Sequence, residues 1–309
     1  MLELRHLSVR FSAQSAVQAV EDVSLTLHPG EKTAILGETG SGKSVLLLAA
    51  LRLLPDETRV SGQVLFEGEN LLELDKKQLS RLRGSRISYV PQGGGGSLNP
   101  LLTVGFQVGE PLIEHRGYTK RAAVRRSVAL FESFQLGDER TLARAYPHRF
   151  SGGMRQRAMV AMGIAAGAKT ILADEPTKGL DQKRIDLVAD TFARLKEESL
   201  LCVTHDLPFA RAVSRTVCVM YAAQQVESGP TDAVLREPLH PYVQDLVAAL
   251  SENGMQCRSG FAPPHGAYES HTGCRYYDRC AVRTARCETE MPPFVTRGER
   301  CVRCWQYAD

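Results

Sequence analysis

A glycine-rich loop between a short apolar run and a helix-forming run is the feature that most constrains the fold. Residues 32–36 form a short, mostly apolar run, and the pattern from Val45 to Leu54 is helical until Pro55 ends it. The loop between them consists of Gly37, Glu38, Thr39, Gly40, Ser41, Gly42, Lys43 and Ser44. In a strand–loop–helix context this spacing indicates a phosphate loop.

The residue types of the loop suit the binding of ATP with Mg²⁺. Glycines allow backbone N–H groups to point inward around phosphates, and the following helix presents its positive N-terminus. Lys43 adds a point charge, and the hydroxyl of Ser44 can bind Mg²⁺. We therefore expect a nucleotide site here; the alternative is a Gly/Ser turn with an incidental lysine.

The remaining periodicity predicts an α/β fold with a parallel sheet. Strands are predicted over 2–11, 23–27, 86–90, 170–173 and 200–204, and helices over 101–167 and 183–196. The first two strands alternate apolar and polar residues, which is typical of antiparallel pairs. Strands that alternate with helices, as from residue 170 onward, form parallel sheets.

Composition excludes several classes of protein. The chain of 309 residues is 43% hydrophobic and 24% charged, which is typical of a globular protein. No run approaches 18 apolar residues and the N-terminus lacks a secretory pattern, so we expect a cytoplasmic chain without a membrane span. A formal net charge of +3 is too small to indicate nucleic acid as a partner.

Two adjacent carboxylates, Asp174 and Glu175, end a buried strand. Asp174 is placed to hold Mg²⁺ through water, and Glu175 is available to orient and activate an attacking water. His205 closes the next strand, so it could reach the same sheet edge and hydrogen-bond a γ-phosphate. The alternatives are an exposed acidic strand end and a structural histidine.

A second bare-backbone segment, Ser151, Gly152 and Gly153, precedes a predicted helix and is suited to binding phosphate. The run 150–157 just upstream of 172–177 resembles the signature and Walker B segments of ABC ATPases. The resemblance covers residues 1 to about 250. It implies a P-loop NTPase fold with a RecA-like parallel-sheet core, an antiparallel β subdomain and a helical signature subdomain over about 93–167.

The resemblance also implies roles for further residues. The signature would serve the ATP of a partner subunit, and Gln92 would be the glutamine of the Q-loop, which contributes to the Mg²⁺ site. Asp181 would belong to the D-loop, His205 would be the switch histidine, and Phe11 would stack on adenine. The sequence departs from the common pattern at Met154 and at Lys178, and neither departure removes a phosphate-contacting or water-activating group. We therefore expect ATP hydrolysis. The glycine run 93–96 replaces the bulkier residues usual after the Q-loop glutamine, which would loosen contact with the transmembrane subunit.

The C-terminal segment, 251–309, differs in composition from the rest of the chain, with many Gly, Pro, Ser, His and Cys residues. It is predicted to be a small Cys-rich domain. The preceding run 238–243 resembles the segment that closes the ATPase domain of oligopeptide, dipeptide and nickel importer subunits. In that family similarly spaced cysteines hold an iron–sulfur cluster, and here the matching residues are Cys274, Cys280, Cys287 and Cys304.

Thiolates in a short, poorly hydrophobic segment favour a metal, because the cytosol disfavours disulfides. Cys274, Cys280 and Cys287 are separated by five and six residues, whereas zinc sites usually have pairs of cysteines only two to four residues apart. The spacing therefore favours a [4Fe–4S] cluster over zinc. Zinc and the absence of a metal remain alternatives, and Cys301 rivals Cys304 as the fourth ligand. Cys202 and Cys218 are expected to be small apolar core residues, and Cys257 is unassigned.

The resemblance implies a peripheral subunit at the cytoplasmic face of the membrane. Its partners would be a second ABC ATPase subunit, expected to form a heterodimer, two transmembrane permease subunits and an extracytoplasmic substrate-binding protein. The cargo stays open among peptides, nickel, metal chelates and other small solutes. One alternative is a soluble ABC ATPase that acts on DNA or ribosomes, although the long coiled coil or second cassette typical of those proteins is missing here. A redox-sensing module is another alternative.

Overall fold

The computed structural model describes residues 1–11, 17–92, 97–250 and 272–308. Three features from the sequence analysis lie outside these residues. They are the glycine run 93–96, the unassigned Cys257 and the predicted domain boundary near residue 251.

The described residues form strands and helices in the alternating order that the sequence predicts. The strands are β1 (Leu2–Phe11), β2 (Val17–Leu27), β3 (Lys32–Leu36), β4 (Arg59–Phe66), β5 (Glu69–Asn70), β6 (Ile87–Val90), β7 (Thr170–Asp174), β8 (Ser199–Val203), β9 (Thr216–Tyr221), β10 (Gln224–Pro230), β11 (Phe294–Arg297) and β12 (Arg300–Arg303). The helices are α1 (Lys43–Ala50), α2 (Lys76–Leu82), α3 (Val104–Arg116), α4 (Lys120–Ser133), α5 (Glu139–Leu142), α6 (Gly152–Ala165), α7 (Gln182–Arg194), α8 (Leu207–Val213), α9 (Thr231–Arg236), α10 (Pro241–Ala248) and α11 (Ala285–Thr289).

The chain divides into two units, of which the first comprises Met1–Leu27, Thr33–Glu73 and His205–Asp309. Its N-terminal part is an antiparallel sheet with the strand order β2-β1-β4-β5. The apolar residues that alternate along β1, including Leu2, Leu4 and Val9, are buried. The prediction of antiparallel strands at the N-terminus is therefore confirmed.

A second run of strands in the first unit has the order β11-β12-β10-β9-β3. Strand β3 pairs in parallel with β9, and the other pairs are antiparallel. The hairpin β11–β12 was not predicted from the sequence. Its second strand joins β10 through Glu227 opposite Val302 and Ser228 opposite Cys301, so the Cys-rich segment extends a sheet. Sheet pairing thus organises this segment in addition to any metal.

Three buried tyrosines form the centre of the core beneath this run of strands. Tyr221 lies on β9, Tyr242 on α10 and Tyr276 in the Cys-rich segment. The ring centroid of Tyr221 is 4.6 Å from that of Tyr242 and 5.1 Å from that of Tyr276, in tilted and edge-on arrangements. Such pairs contribute beyond the area they bury. The cluster joins residues distant in sequence into one core.

The second unit comprises His28–Lys32 and Leu74–Thr204. Its strands β6, β7 and β8 are parallel, with β7 between the other two, and all five residues of β7 are buried. The predicted parallel sheet is confirmed, and helices α3–α6 lie within the region that was expected to be helical. Helix α1 of the first unit ends at Ala50 rather than at Leu54, since Arg52 takes a left-handed φ of 51°.

Glu227 on β10 is a fully buried carboxylate at the base of the Cys-rich segment. It accepts hydrogen bonds from the backbone N–H groups of Leu239 and His240, the latter at 2.8 Å, and from Arg300 of β12 at 2.5 Å. Burial raises the pKa of Glu227, and these donors oppose that rise. One carboxylate therefore joins β10, the start of α10 and the C-terminal hairpin.

We predict that Glu227→Ala lowers the free energy of unfolding by about 3 kcal/mol, because it leaves a half-buried guanidinium and two backbone donors without their acceptor. Urea denaturation measures the change. Asp232→Ala removes the partner of Arg211 in an exposed ion pair and should change stability by less than about 0.5 kcal/mol. Equal effects of the two substitutions would contradict the central role of Glu227.

Candidate functional site

The phosphate loop connects β3 to α1 in the first unit and is closely surrounded by backbone. Gly37 and Gly42 have φ values of 149° and 95°. A Cβ atom on Gly37 would lie 2.2 Å from the carbonyl oxygen of Met220, and one on Gly42 would lie 2.1 Å from that of Ala19. Only glycine fits at both positions, because the left-handed conformation and the lack of space both exclude a side chain.

Lys43 begins α1, and its ammonium group lies inside the loop. The Nζ atom donates to the carbonyl oxygens of Gly37 and Glu38, each at 2.7 Å, and lies 3.3 Å from Oγ of Ser41. The side chain is buried at 6% exposure. The loop therefore holds a positive charge at its centre, where the sequence analysis places a phosphate group. Thr39 and Gly40 are exposed, and Ser44 follows in the first turn of α1.

Two other predicted residues of the first unit lie at the ends of elements. Phe11 is the last residue of β1 and is half-buried. His205 is exposed and precedes Asp206, the N-cap of α8, whose carboxylate accepts the N–H of Phe209 at 2.9 Å.

The acidic pair lies in the second unit at the carboxyl end of β7. Asp174 is 3% exposed and Glu175 is 8% exposed. Glu175 takes a left-handed φ of 47°, and its N–H donates to the carbonyl of Val203 on β8 at 2.9 Å. A non-glycine residue in this conformation is uncommon, and such strain is concentrated at functional sites. No pattern in the sequence indicates this conformation of Glu175.

Tyr89 and Gln92 border the acidic pair from the neighbouring strand β6. The hydroxyl of Tyr89 donates to Oδ2 of Asp174 at 3.4 Å. Burial and the Asp174 carboxylate raise the pKa of Tyr89, so it remains a donor at neutral pH. Gln92 follows β6 and is half-buried at the same sheet edge, since β6 and β7 are parallel neighbours. Tyr89 is a site residue that no motif indicated.

The signature segment begins α6 in the second unit. Ser151 is its N-cap, and the hydroxyl accepts the N–H of Met154 at 3.3 Å. A Cβ atom on Gly152 would meet nothing within 4 Å, so its backbone lies open to solvent. A Cβ atom on Gly153 would lie 3.1 Å from Leu180, the neighbour of Asp181. The structure thus brings the signature and the D-loop together.

The predicted nucleotide residues therefore divide between the two units. The phosphate loop, Phe11 and His205 lie in the first unit, and the second unit contains Gln92, Asp174, Glu175, Ser151, Gly152, Gly153 and Asp181. Asp181 is the N-cap of α7, where it accepts the N–H of Arg184 at 3.1 Å.

Four cysteines of the C-terminal segment line one cavity of about 170 Å³ in the first unit. They are Cys274, Cys280, Cys287 and Cys304, the four that the sequence analysis selected. Cys301 points elsewhere, with its Sγ 3.6 Å from Oγ1 of Thr296 across the hairpin. Burial raises the pKa of Cys274 to about 12 and also raises those of Cys280 and Cys304.

The four thiols surround the cavity without meeting at one point. Among the described residues, no three His, Cys, Asp or Glu side chains are grouped closely enough to hold a metal ion. The backbone N–H of Cys274 donates to the carbonyl of Cys287 at 2.8 Å, which fixes two of the cavity walls together. Cys202 and Cys218 lie apart from these cysteines on core strands, where burial raises their pKa values.

His240, which borders the same cavity, is neutral. Burial lowers its pKa to about 3. Its Nδ1 accepts the N–H of Tyr242 at 3.0 Å and thereby caps α10. No helix built from the described residues is long and apolar enough to cross a membrane.

Sequence profiles of two families match the chain. The ABC transporter family matches residues 20–178, and the C-terminal region of oligopeptide/dipeptide transporters matches residues 226–287. Among curated proteins, a peptide import ATP-binding protein of Brucella melitensis is 36% identical over 99% of this chain and 97% of its own length. One from Brucella abortus is 37% identical over 98% of this chain and 94% of its own length.

Solved structures of ABC cassettes have a similar fold. A dimeric bacterial ABC transporter cassette is 26% identical, with a TM-score of 0.67 over 75% of this chain and 99% of its own. A dimeric cassette in a post-hydrolysis state with ADP and Pi has a TM-score of 0.66 at 26% identity, with the same coverage. The chain is therefore an ATP-hydrolysing member of the ABC transporter family, in the group that carries the oligopeptide/dipeptide transporter C-terminal region.

Proposed function

We propose that this chain hydrolyses ATP to drive the import of peptides or another small solute through a membrane complex. The observation that carries the proposal is the acidic pair at the end of β7, where Glu175 is held in a left-handed conformation beside Asp174. The match to the C-terminal region of peptide transporters favours an importer over a soluble ABC ATPase that acts on DNA or ribosomes. Relatives named for peptide import favour peptides over nickel or metal chelates as cargo.

In this proposal each predicted residue has a distinct task. The loop from Gly37 to Ser44 surrounds the phosphates of ATP, and Lys43 neutralises part of their charge. Phe11 stacks on the adenine. As the resemblance to ABC ATPases implies, Ser44, Gln92 and Asp174 would hold Mg²⁺, which would offset the charge on the transferred phosphoryl group. Glu175 accepts a proton from the attacking water, and His205 donates a hydrogen bond to the γ-phosphate.

The working unit would contain two ATPase subunits. The exposed backbone of Gly152 at the start of α6 is suited to phosphate from outside the chain, and related cassettes have been solved as dimers. We propose that the second subunit is a different chain and that the pair joins two permease subunits and an extracytoplasmic binding protein. The chain would then lie peripherally at the cytoplasmic face of the membrane.

The C-terminal cysteines are proposed to hold a [4Fe–4S] cluster. A single zinc ion requires its sulfur ligands at about 2.3 Å, whereas each cysteine of a cluster binds a different iron and the thiols stand farther apart. The observation that supports a shared group is that all four cysteines line one cavity. The cluster would act as a structural cross-link of an extension that follows an ATPase domain of residues 1–250, with zinc as the alternative metal.

One pair of substitutions separates hydrolysis from binding. Glu175→Gln should retain ATP and lower turnover by about 10²-fold or more, because the water loses its base. Lys43→Ala should weaken ATP binding itself. Steady-state hydrolysis and equilibrium binding measure the two effects. Glu197→Gln, which alters an exposed acid paired with Lys169, serves as the control and should leave both unchanged. Normal turnover by Glu175→Gln would contradict the assignment.

Another prediction concerns the shared site. The isolated chain should be a weak ATPase, because each signature completes the site of another chain, and activity per subunit should rise when the second ATPase subunit is added. Sedimentation of Glu175→Gln together with the second subunit and ATP should detect a dimer that disappears on removal of nucleotide. Activity per subunit that is constant down to a strict monomer would exclude shared sites.

A further prediction concerns the cysteines. Anaerobically purified protein should be brown and contain about four irons per chain. Cys280→Ser should remove the colour, whereas Cys301→Ser, in the same segment but turned away from the cavity, should keep it. A colourless protein with one zinc per chain would replace the cluster by zinc. A folded protein without either metal would contradict both.

A further inference from the structure

Glu38, the second residue of the phosphate loop, is held by residues from the C-terminal part of the chain. Arg279 donates to both carboxylate oxygens of Glu38, each at 2.9 Å, in a bidentate pair. The hydroxyl of Tyr242 accepts the backbone N–H of Glu38, also at 2.9 Å. Both the side chain and the backbone of this loop residue are therefore fixed from outside the loop.

Arg279 is itself fixed in place. Its side chain is only 10% exposed, and its guanidinium carbon lies 5.5 Å from the ring centroid of Tyr221 and 5.4 Å from that of Tyr276. One nitrogen also donates to the hydroxyl of Tyr221 at 3.4 Å. A planar guanidinium between aromatic rings loses little freedom when it forms a bidentate pair, so the interaction with Glu38 is strong and directional.

The position of Glu38 affects the group that binds phosphate. The carbonyl oxygen of Glu38 accepts a hydrogen bond from Nζ of Lys43 at 2.7 Å. Glu38 therefore contacts Arg279 through its side chain and Lys43 through its backbone. Glu38 also places a negative charge in a loop that binds a polyanion. Arg279 neutralises that charge, which would otherwise repel the phosphates of the nucleotide.

We propose that Arg279 is a positioning residue of the ATP site and that, through Glu38, the C-terminal extension of this chain raises the affinity for nucleotide. The inference rests on the proposed role of the phosphate loop. Loss of Arg279 frees the loop backbone and exposes the charge of Glu38, and both effects weaken binding. The electrostatic part grows with the charge of the nucleotide, so ATP should lose more affinity than ADP.

Equilibrium titration of the purified full-length chain with ATP and with ADP tests the proposal. Arg279→Gln should raise the Kd for ATP about fivefold, as expected for loss of a partly exposed charged pair, and the Kd for ADP by less. Adding Glu38→Gln to Arg279→Gln should recover part of the ATP affinity, because it removes the uncompensated charge. A role of Arg279 in folding alone would not give this rescue or the difference between nucleotides.

Arg283→Gln is the matched control. Arg283 lies in the same segment and donates to the carbonyl of Asp278 at 3.1 Å, away from the loop, so its loss should leave both Kd values unchanged. Two further quantities are measured for every variant. They are the thermal unfolding temperature in the absence of nucleotide and the iron content. Should Arg279→Gln not fold, Arg279→Lys provides the test, since it keeps the charge but not the bidentate geometry and should bind ATP about twofold more weakly.

The outcomes are distinguishable. A wild-type chain that does not bind ATP, or that binds it equally after Lys43→Ala, contradicts the proposed role of the phosphate loop. A wild-type chain that binds ATP, together with folded Arg279→Gln or Arg279→Lys of unchanged affinity, overturns the inference alone. Equal losses for ATP and ADP without rescue by Glu38→Gln also overturn it.

Discussion

The close approach of backbone to the phosphate loop is the constraint on which the first unit depends. The carbonyl of Met220 on β9 and that of Ala19 on β2 occupy the space that side chains of Gly37 and Gly42 would need. The carbonyl of Ser41 accepts the N–H of Ala223 at 3.2 Å from the turn after β9. The loop therefore takes its shape from strands far away in sequence as well as from its own glycines.

Arginines next to the cysteines anchor the C-terminal segment on the rest of the first unit. Arg275 follows Cys274 and pairs with Glu21 of β2, and Arg303 precedes Cys304 and donates to the carbonyl of Gln225 at 3.0 Å. Together with Arg279 and Arg300 they connect the walls of the cysteine cavity to β2, the phosphate loop and β10. Charge-assisted bonds with limited exposure are the stronger kind, so this attachment is specific.

Local patterns predicted the motifs and most of the elements, because each depends on neighbours in sequence. The glycine spacing and the buried run that ends at Asp174 are of this kind. The selection of Cys304 rested on resemblance to a family instead, and the structure places it with the other three cysteines around one cavity. The pairing of β12 with β10 could not be predicted, since a strand of four residues rich in arginine has no clear alternation. Gly298, with a φ of 62°, was the available signal of the hairpin turn.

The conformation of Glu175 and the contact of Tyr89 with Asp174 were also missed, because both depend on how neighbouring strands present their ends. No sequence pattern reports a left-handed glutamate. The same holds for Glu38 and Arg279, which are separated by 241 positions. Such pairs are decided by packing rather than by propensity.

The separation of Glu38 from Arg279 has a consequence for biosynthesis. A ribosome completes the phosphate loop early, and chains fold progressively from the N-terminus as they emerge. Glu38 has two partners, Tyr242 and Arg279, which are made 204 and 241 positions after it. A nascent chain therefore contains a finished loop sequence without the side chains that fix it. If Arg279 supports nucleotide binding as proposed, a nascent chain acquires this support only after Arg279 has been made, 241 positions after Glu38.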